Sequence, residues 1–177
     1  MSDMSETFDY KIILVDSSNA NFTGSTSNYN FYVNLTEPLR DVYKIKIIYS
    51  ALSIPASTLK DSSQITNLDS VFIDLNNYNR LTTVLKNSQG ITTNISYFDS
   101  IILDTNNINT TNLGMTTIYN DLNSSENIYV INPSVSQLTR LNFNLYDKNN
   151  NIITTSLISR FVMKLCVYYS NCKTSRA

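Results

Sequence analysis

Apolar and polar residues alternate along most of the chain, and no stretch keeps a 3.6-residue period with capping residues at its ends. The pattern predicts an all-β protein. Residues 10–16 form the first strand, with Ile12 and Leu14 on one face and Ile13 and Val15 on the other. Apolar on both faces, it belongs centrally in a sheet or at an interface. Phe31, Val33 and Leu35 alternate with Tyr32 and Asn34 in a second strand, which Pro38 should end because proline cannot donate to a ladder. Tyr43, Ile45, Ile47 and Tyr49 alternate with Lys44 and Lys46 as a half-buried third strand. Ile48 breaks its polar side, and the segment runs on through Leu52 and Ile54 to Pro55.

Val71, Ile73 and Leu75 mark a fourth strand, closed by turn-forming residues 76–79. Residues 80–104 divide into two or three short strands with a turn at 87–90, and the Asn/Thr/Ser-rich residues 105–127 read as one long loop. Residues 128–131 make a short strand ended by Asn132-Pro133. Leu141, Phe143 and Leu145 then alternate with Asn142 and Asn144, residues 147–151 turn the chain, and residues 152–155 return as a hairpin. In the last strand, residues 161–169, Phe161, Met163, Leu165, Val167 and Tyr169 share one face, and the strand is apolar enough to be central. About eight strands, with two of the most apolar first and last, suit a single eight-stranded jelly-roll, an antiparallel β-sandwich. Its core should unite Ile45, Ile47, Phe143, Leu145, Met163 and Leu165. The expected organisation is an N-terminal arm over residues 1–9, one jelly-roll domain over 10–169 and a C-terminal tail over 170–177.

A chain of 177 residues buries about 70% of its surface in one core, so one domain is expected. Net charge is −1, from 13 Lys plus Arg against 14 Asp plus Glu, which offers no broad basic field for direct nucleic-acid binding. The polar, acidic start predicts no secretory signal, and the most apolar stretch, residues 45–54, is too short for a membrane span. Cys166 and Cys172 are expected as reduced thiols, Cys166 as a small hydrophobic filler. Asn accounts for about one residue in seven. With that bias the sequons at Asn21, Asn34, Asn94, Asn109 and Asn123 arise by chance and carry no weight.

The chain has no histidine, which removes the commonest general base and the commonest metal ligand together. Two thiols and scattered carboxylates give no metal-site spacing, and the isolated Gly24, Gly90 and Gly114 make no phosphate loop. Asp16, Asp74, Asp99 and Asp104 are the carboxylates that would have to pair as acid and base, yet each stands at or near a strand end, where carboxylates bond turn N–H groups. The reading is therefore of a protein that is not an enzyme, with no catalytic, cofactor-binding or metal residues and no cofactor. The 12 Tyr raise a stacking role, but most fall at alternating strand positions where core or interface packing accounts for them.

Two segments carry a family resemblance. The first is Val15-Asp16-Ser17-Ser18-Asn19, a polar loop, then Phe31-Tyr32-Val33-Asn34-Leu35-Thr36-Glu37-Pro38-Leu39, followed by Val42, Ile45, Ile47, Ala51 and Ile54-Pro55. The second is Leu138-Thr139-Arg140-Leu141-Asn142-Phe143-Asn144-Leu145-Tyr146-Asp147, then Phe161-Val162-Met163-Lys164-Leu165. Together, in this order, they resemble the penton and minor capsid proteins of nucleocytoplasmic large DNA viruses and virophages. Residues 56–127 show no match, and the usual glycine of the closing turn is replaced by Asn149-Asn150-Asn151. The resemblance implies a jelly-roll subunit made in the host cytoplasm and carried in the virion. Its expected partners are itself, as a homopentamer at an icosahedral vertex, and neighbouring major and minor capsid proteins. Within this class the alternative is a cement protein joining capsomers. From another class the alternative is a carbohydrate-binding β-sandwich, which an exposed tyrosine row would favour.

Overall fold

The computed structural model describes residues 8–24, 27–60, 68–86, 92–103, 114–120 and 128–170. Its elements are β1 (Phe8–Asp16), a 3-10 turn (Ser17–Asn19), β2 (Asn21–Phe22), β3 (Asn30–Pro55), α1 (Ala56–Lys60), β4 (Ser70–Leu75), β5 (Leu81–Lys86), β6 (Thr92–Tyr97), β7 (Asp99–Ile102), β8 (Gly114–Asn120), β9 (Ile128–Tyr146) and β10 (Arg160–Ser170). Every strand pair is antiparallel. The all-β class expected from alternation is the one observed.

Strand order establishes the topology. One half-sheet runs β1, β10, the C-terminal half of β3 and β8; the other runs the N-terminal half of β3, the C-terminal half of β9, β4 and β7. With the halves of β3 counted separately and the short β2 and the β5–β6 pair left out, the first segment pairs with the last, the second with the seventh, the third with the sixth and the fourth with the fifth. That nesting is a long hairpin rolled upon itself, which is the jelly-roll. The β5–β6 hairpin is an insertion forming its own two-stranded sheet. Arg80 ties it down by donating from Nη2 to Asp99 Oδ1 at 2.7 Å and from Nε to the Phe98 carbonyl at 3.0 Å.

The two half-sheets face each other across one core. Phe161 of β10 lies 6.2 Å from Phe31 and 5.9 Å from Phe143 on the opposite half, and those two rings stack at 5.2 Å. Ile45, Ile47, Phe143, Leu145, Met163 and Leu165 are all buried in this single cluster, as the alternation required.

Several boundaries differ from the sequence reading. Pro38 does not end its strand, and Asn132-Pro133 does not end the strand before it, because β3 and β9 run through both positions. Each proline falls where the β3–β9 ladder is interrupted, between Asn34 and Leu39 and between Val130 and Val135, so its missing N–H breaks no bond. The core face of β3 also changes phase. Residue Tyr43 is left over between Lys44↔Tyr168 and Val42↔Tyr169, and Ile48 between Ile47↔Leu165 and Tyr49↔Lys164. These are β-bulges, and each extra residue moves the strand's following side chains to the other face. Val42, Ser50, Leu52 and Ile54 are therefore buried, while Tyr43 and Tyr49 are only half-buried. Asp41 takes a left-handed φ of 48° at this corner.

The long loop expected at 105–127 contains β8, which pairs with residues 49–55 of β3. Its sequence, Gly-Met-Thr-Thr-Ile-Tyr-Asn, has β-forming residues without a two-residue hydrophobic period, so main-chain pairing with a neighbour decides it. The rest of that loop, the turn at 87–90, Asp104 and Cys172 lie outside the described residues, as do residues 1–7 and 171–177 of the expected arm and tail. Phe8, Asp9 and Ser170 belong to β1 and β10. Residues 152–155 return as isolated bridges and not as a strand, with Ile152 paired to Tyr146 and Thr154 to Asn28. The turn before them forms as read. Asp147 Oδ1 accepts the N–H groups of Asn149 and Asn151 at 2.8 Å each, and Asn150 supplies the left-handed φ of 64° that a glycine would otherwise provide.

Candidate functional site

The described carboxylates singled out from the sequence do not converge. Asp16, at the end of β1, accepts from Arg160 Nε at 3.0 Å and from Arg160 Nη2, and also caps the 3-10 turn through the Ser18 N–H at 3.0 Å. The Arg160 guanidinium, bonded to it, holds its carboxyl well below the usual carboxylate range despite desolvation. Asp74 accepts the Asn77 N–H at 3.0 Å and the Asn144 Nδ2 at 2.9 Å, and Asp99 is paired with Arg80. Each carboxylate thus holds local structure. Among the described residues no three His, Cys, Asp or Glu gather in a group that could hold a metal ion, and no helix is long and apolar enough to cross a membrane. Cys166 is a buried free thiol.

Two outer surfaces stand out instead. On the first half-sheet, β1 is an edge strand whose described partner is β10 alone, not the central strand that was one of its two expected positions. Its inward side chains, Ile13 and Val15, join the core, while Tyr10, Ile12 and Leu14 point outward and remain 64%, 44% and 57% exposed. Three large apolar side chains in a row on an open edge are unusual, because edge strands are normally blunted by charge, proline or bulges. Beside them the register sets Tyr168 opposite Tyr10 and Lys44 opposite Tyr168. Tyr10, Tyr168 and Tyr43 form a tyrosine row with centroids 6.1 and 6.4 Å apart. The rings are tilted by 45° and 53°, and the Lys44 ammonium lies 3.9 Å over the central one. With the rings tilted and Tyr43 and Tyr168 half-buried, the row offers no flat stacking platform.

The second half-sheet carries polar side chains outward in cross-strand rows. Asn30, Asn144 and Asp74 stand in register on β3, β9 and β4, and Tyr32 stands opposite Asn142. Asn142 donates from both its backbone N–H and its Nδ2 to Asn76 Oδ1, each at 2.8 Å. Arg140 lies over Tyr32 at 5.5 Å. Between β9 and the turn after β4, Asp74, Asn76, Arg140, Asn142 and Asn144 line a groove of about 410 Å³ together with Tyr78, Val135 and Gln137. Tyr78 stacks on Tyr129 at 5.1 Å, and burial pushes its hydroxyl up from the ordinary value. The alternation of Asn142 and Asn144 with the core residues of β9 was visible in the sequence; their juxtaposition with Asp74 and Asn76, some 70 residues away in the chain, was not.

No family model matches the chain, and no curated protein matches it. Among solved structures, that of the selenomethionine-labelled mavirus penton protein is similar, at 10% sequence identity and a TM-score of 0.43, covering 93% of this chain and 100% of that one.

Proposed function

We propose that the chain is a structural capsid subunit, forming the homopentameric vertex of an icosahedral particle and acting by contact alone. The observation that carries this reading is the apolar row Tyr10, Ile12 and Leu14 on the open edge of a jelly-roll, a surface that gains by being covered. The penton-like motifs at residues 31–39 and 138–147 support it, and they occupy the two long strands that turn the corner between the half-sheets. A catalytic role finds no support in a chain without histidine whose described candidate carboxylates are each committed to a turn or an ion pair. The described part of β1 begins at Phe8 and that of β10 ends at its partner Ser170, and the N-terminal arm and C-terminal tail act as ties to neighbouring capsid proteins. Because Phe8 and Asp9 are paired in the sheet, the truncation that tests the arm removes residues 1–7.

Native mass spectrometry of the purified full-length chain, over a range of concentrations, tests the vertex assignment. A five-subunit ring is expected. A monomer throughout, with binding only to preassembled capsomers, would replace the vertex role with that of a cement protein.

A further inference from the structure

The groove on the second half-sheet has polar side chains fixed in place before any ligand arrives. Asn144 donates Nδ2 to Asp74, Asn142 donates Nδ2 to Asn76, and Asp74 also accepts the Asn77 N–H. Rotamers locked in this way lower the ordering cost of binding. Each amide spends one Nδ2 hydrogen on Asn76 or Asp74, which fixes its orientation and leaves its carbonyl as an acceptor. Arg140 and Gln137 are exposed on the same wall and bring N–H donors. The groove therefore offers donors toward one end of its β9 wall and acceptors toward the other.

Two further features narrow the ligand. Among the described lining residues Asp74 and Arg140 are the charged ones, one of each sign, so the groove has no net charge. Tyr78 and Val135 add apolar surface to an otherwise polar wall. A ligand that matches has adjacent hydroxyls able both to donate and to accept, an apolar C–H face and no charge. An apolar ligand would strand the Asn142 and Asn144 carbonyls, and an anion would meet the Asp74 carboxylate. The volume of about 410 Å³ lies within the usual range for small-ligand sites, roughly 300–1,000 Å³. We infer that this groove binds a neutral saccharide, its hydroxyls on Asp74, Asn142 and Asn144 and its C–H face toward Tyr78.

This site does not depend on the capsid reading, since it lies on the half-sheet opposite the β1 edge. Saturation-transfer NMR on the full-length chain, with lactose, maltose, cellobiose and chitobiose as probes, tests it. Transfer to at least one of the four is expected, with an affinity that falls about tenfold in Asn144→Leu, the equivalent of one good hydrogen bond. Arg140→Ala, at an exposed position, should weaken the same interaction while leaving the thermal transition unchanged, which separates binding from folding. The oligomer measured on these samples should match the unsubstituted protein. No transfer with any of the four sugars, or transfer that survives both substitutions, would overturn the inference.

Discussion

Replacing Ile12 and Leu14 together by threonine removes apolar area from the outer face of β1 while placing at both positions a β-branched residue that suits a strand. The two side chains are 44% and 57% exposed, so about half of each is left for a partner to cover. Full burial of an Ile or Leu side chain stabilises by roughly 1.5–3 kcal/mol, so the uncovered halves contribute about 1 kcal/mol each, or about 2 kcal/mol for the pair at each contact. That corresponds to a weakening of roughly 30-fold per contact. The domain itself should change little, because Ile13 and Val15 keep the inward face and the β1–β10 ladder is made by the main chain. Sedimentation velocity should show the midpoint of assembly moved to at least tenfold higher concentration, with a thermal midpoint within a few degrees of the original. An unchanged assembly midpoint would refute the assignment of this face to a contact, and a collapsed thermal transition would show that the row stabilises the monomer.

Phe143→Ala should cost about 3–5 kcal/mol in urea unfolding, since the ring is fully buried against Phe31 and Phe161; a loss under about 1 kcal/mol would contradict the packing between half-sheets. Asp16 has its acidity enhanced in the folded state by Arg160, so its contribution is present above the unfolded carboxylate pKa of about 4 and is lost as the pH falls through its lower folded value. Asp16→Asn should flatten that acid limb of the stability profile, as read by thermal melts at stepped pH. Burial raises the Tyr97 hydroxyl to about 12, while its Oη donates to Asn150 Oδ1 at 2.6 Å. Its contribution is whole below pH about 10 and fades as the pH rises toward 12, so Tyr97→Phe should reduce the alkaline loss of stability.

The sequence alone determined the class of fold and its core. A period of two places Phe143 and Leu145 on one face and Asn142 and Asn144 on the other whatever the neighbouring strands are, and turn residues such as Asn76, Asn77 and Asn150 carry their left-handed conformations locally. These are short-range properties, so they are legible one segment at a time. Tertiary structure decided what depends on partners. Pro38 and Pro133 are tolerated because the ladder happens to be interrupted there, Tyr43 and Ile48 are bulged because β10 and β9 set the register of β3, and β8 is a strand because the edge of β3 pairs with it. The same holds for both surfaces. Ile12 and Leu14 are apolar in any reading, but only their place on an edge strand leaves them exposed, and the saccharide groove exists only where β9 meets β4. Alternation gives the face of each side chain, while strand pairing, which is set by contacts distant in the chain, gives its neighbours.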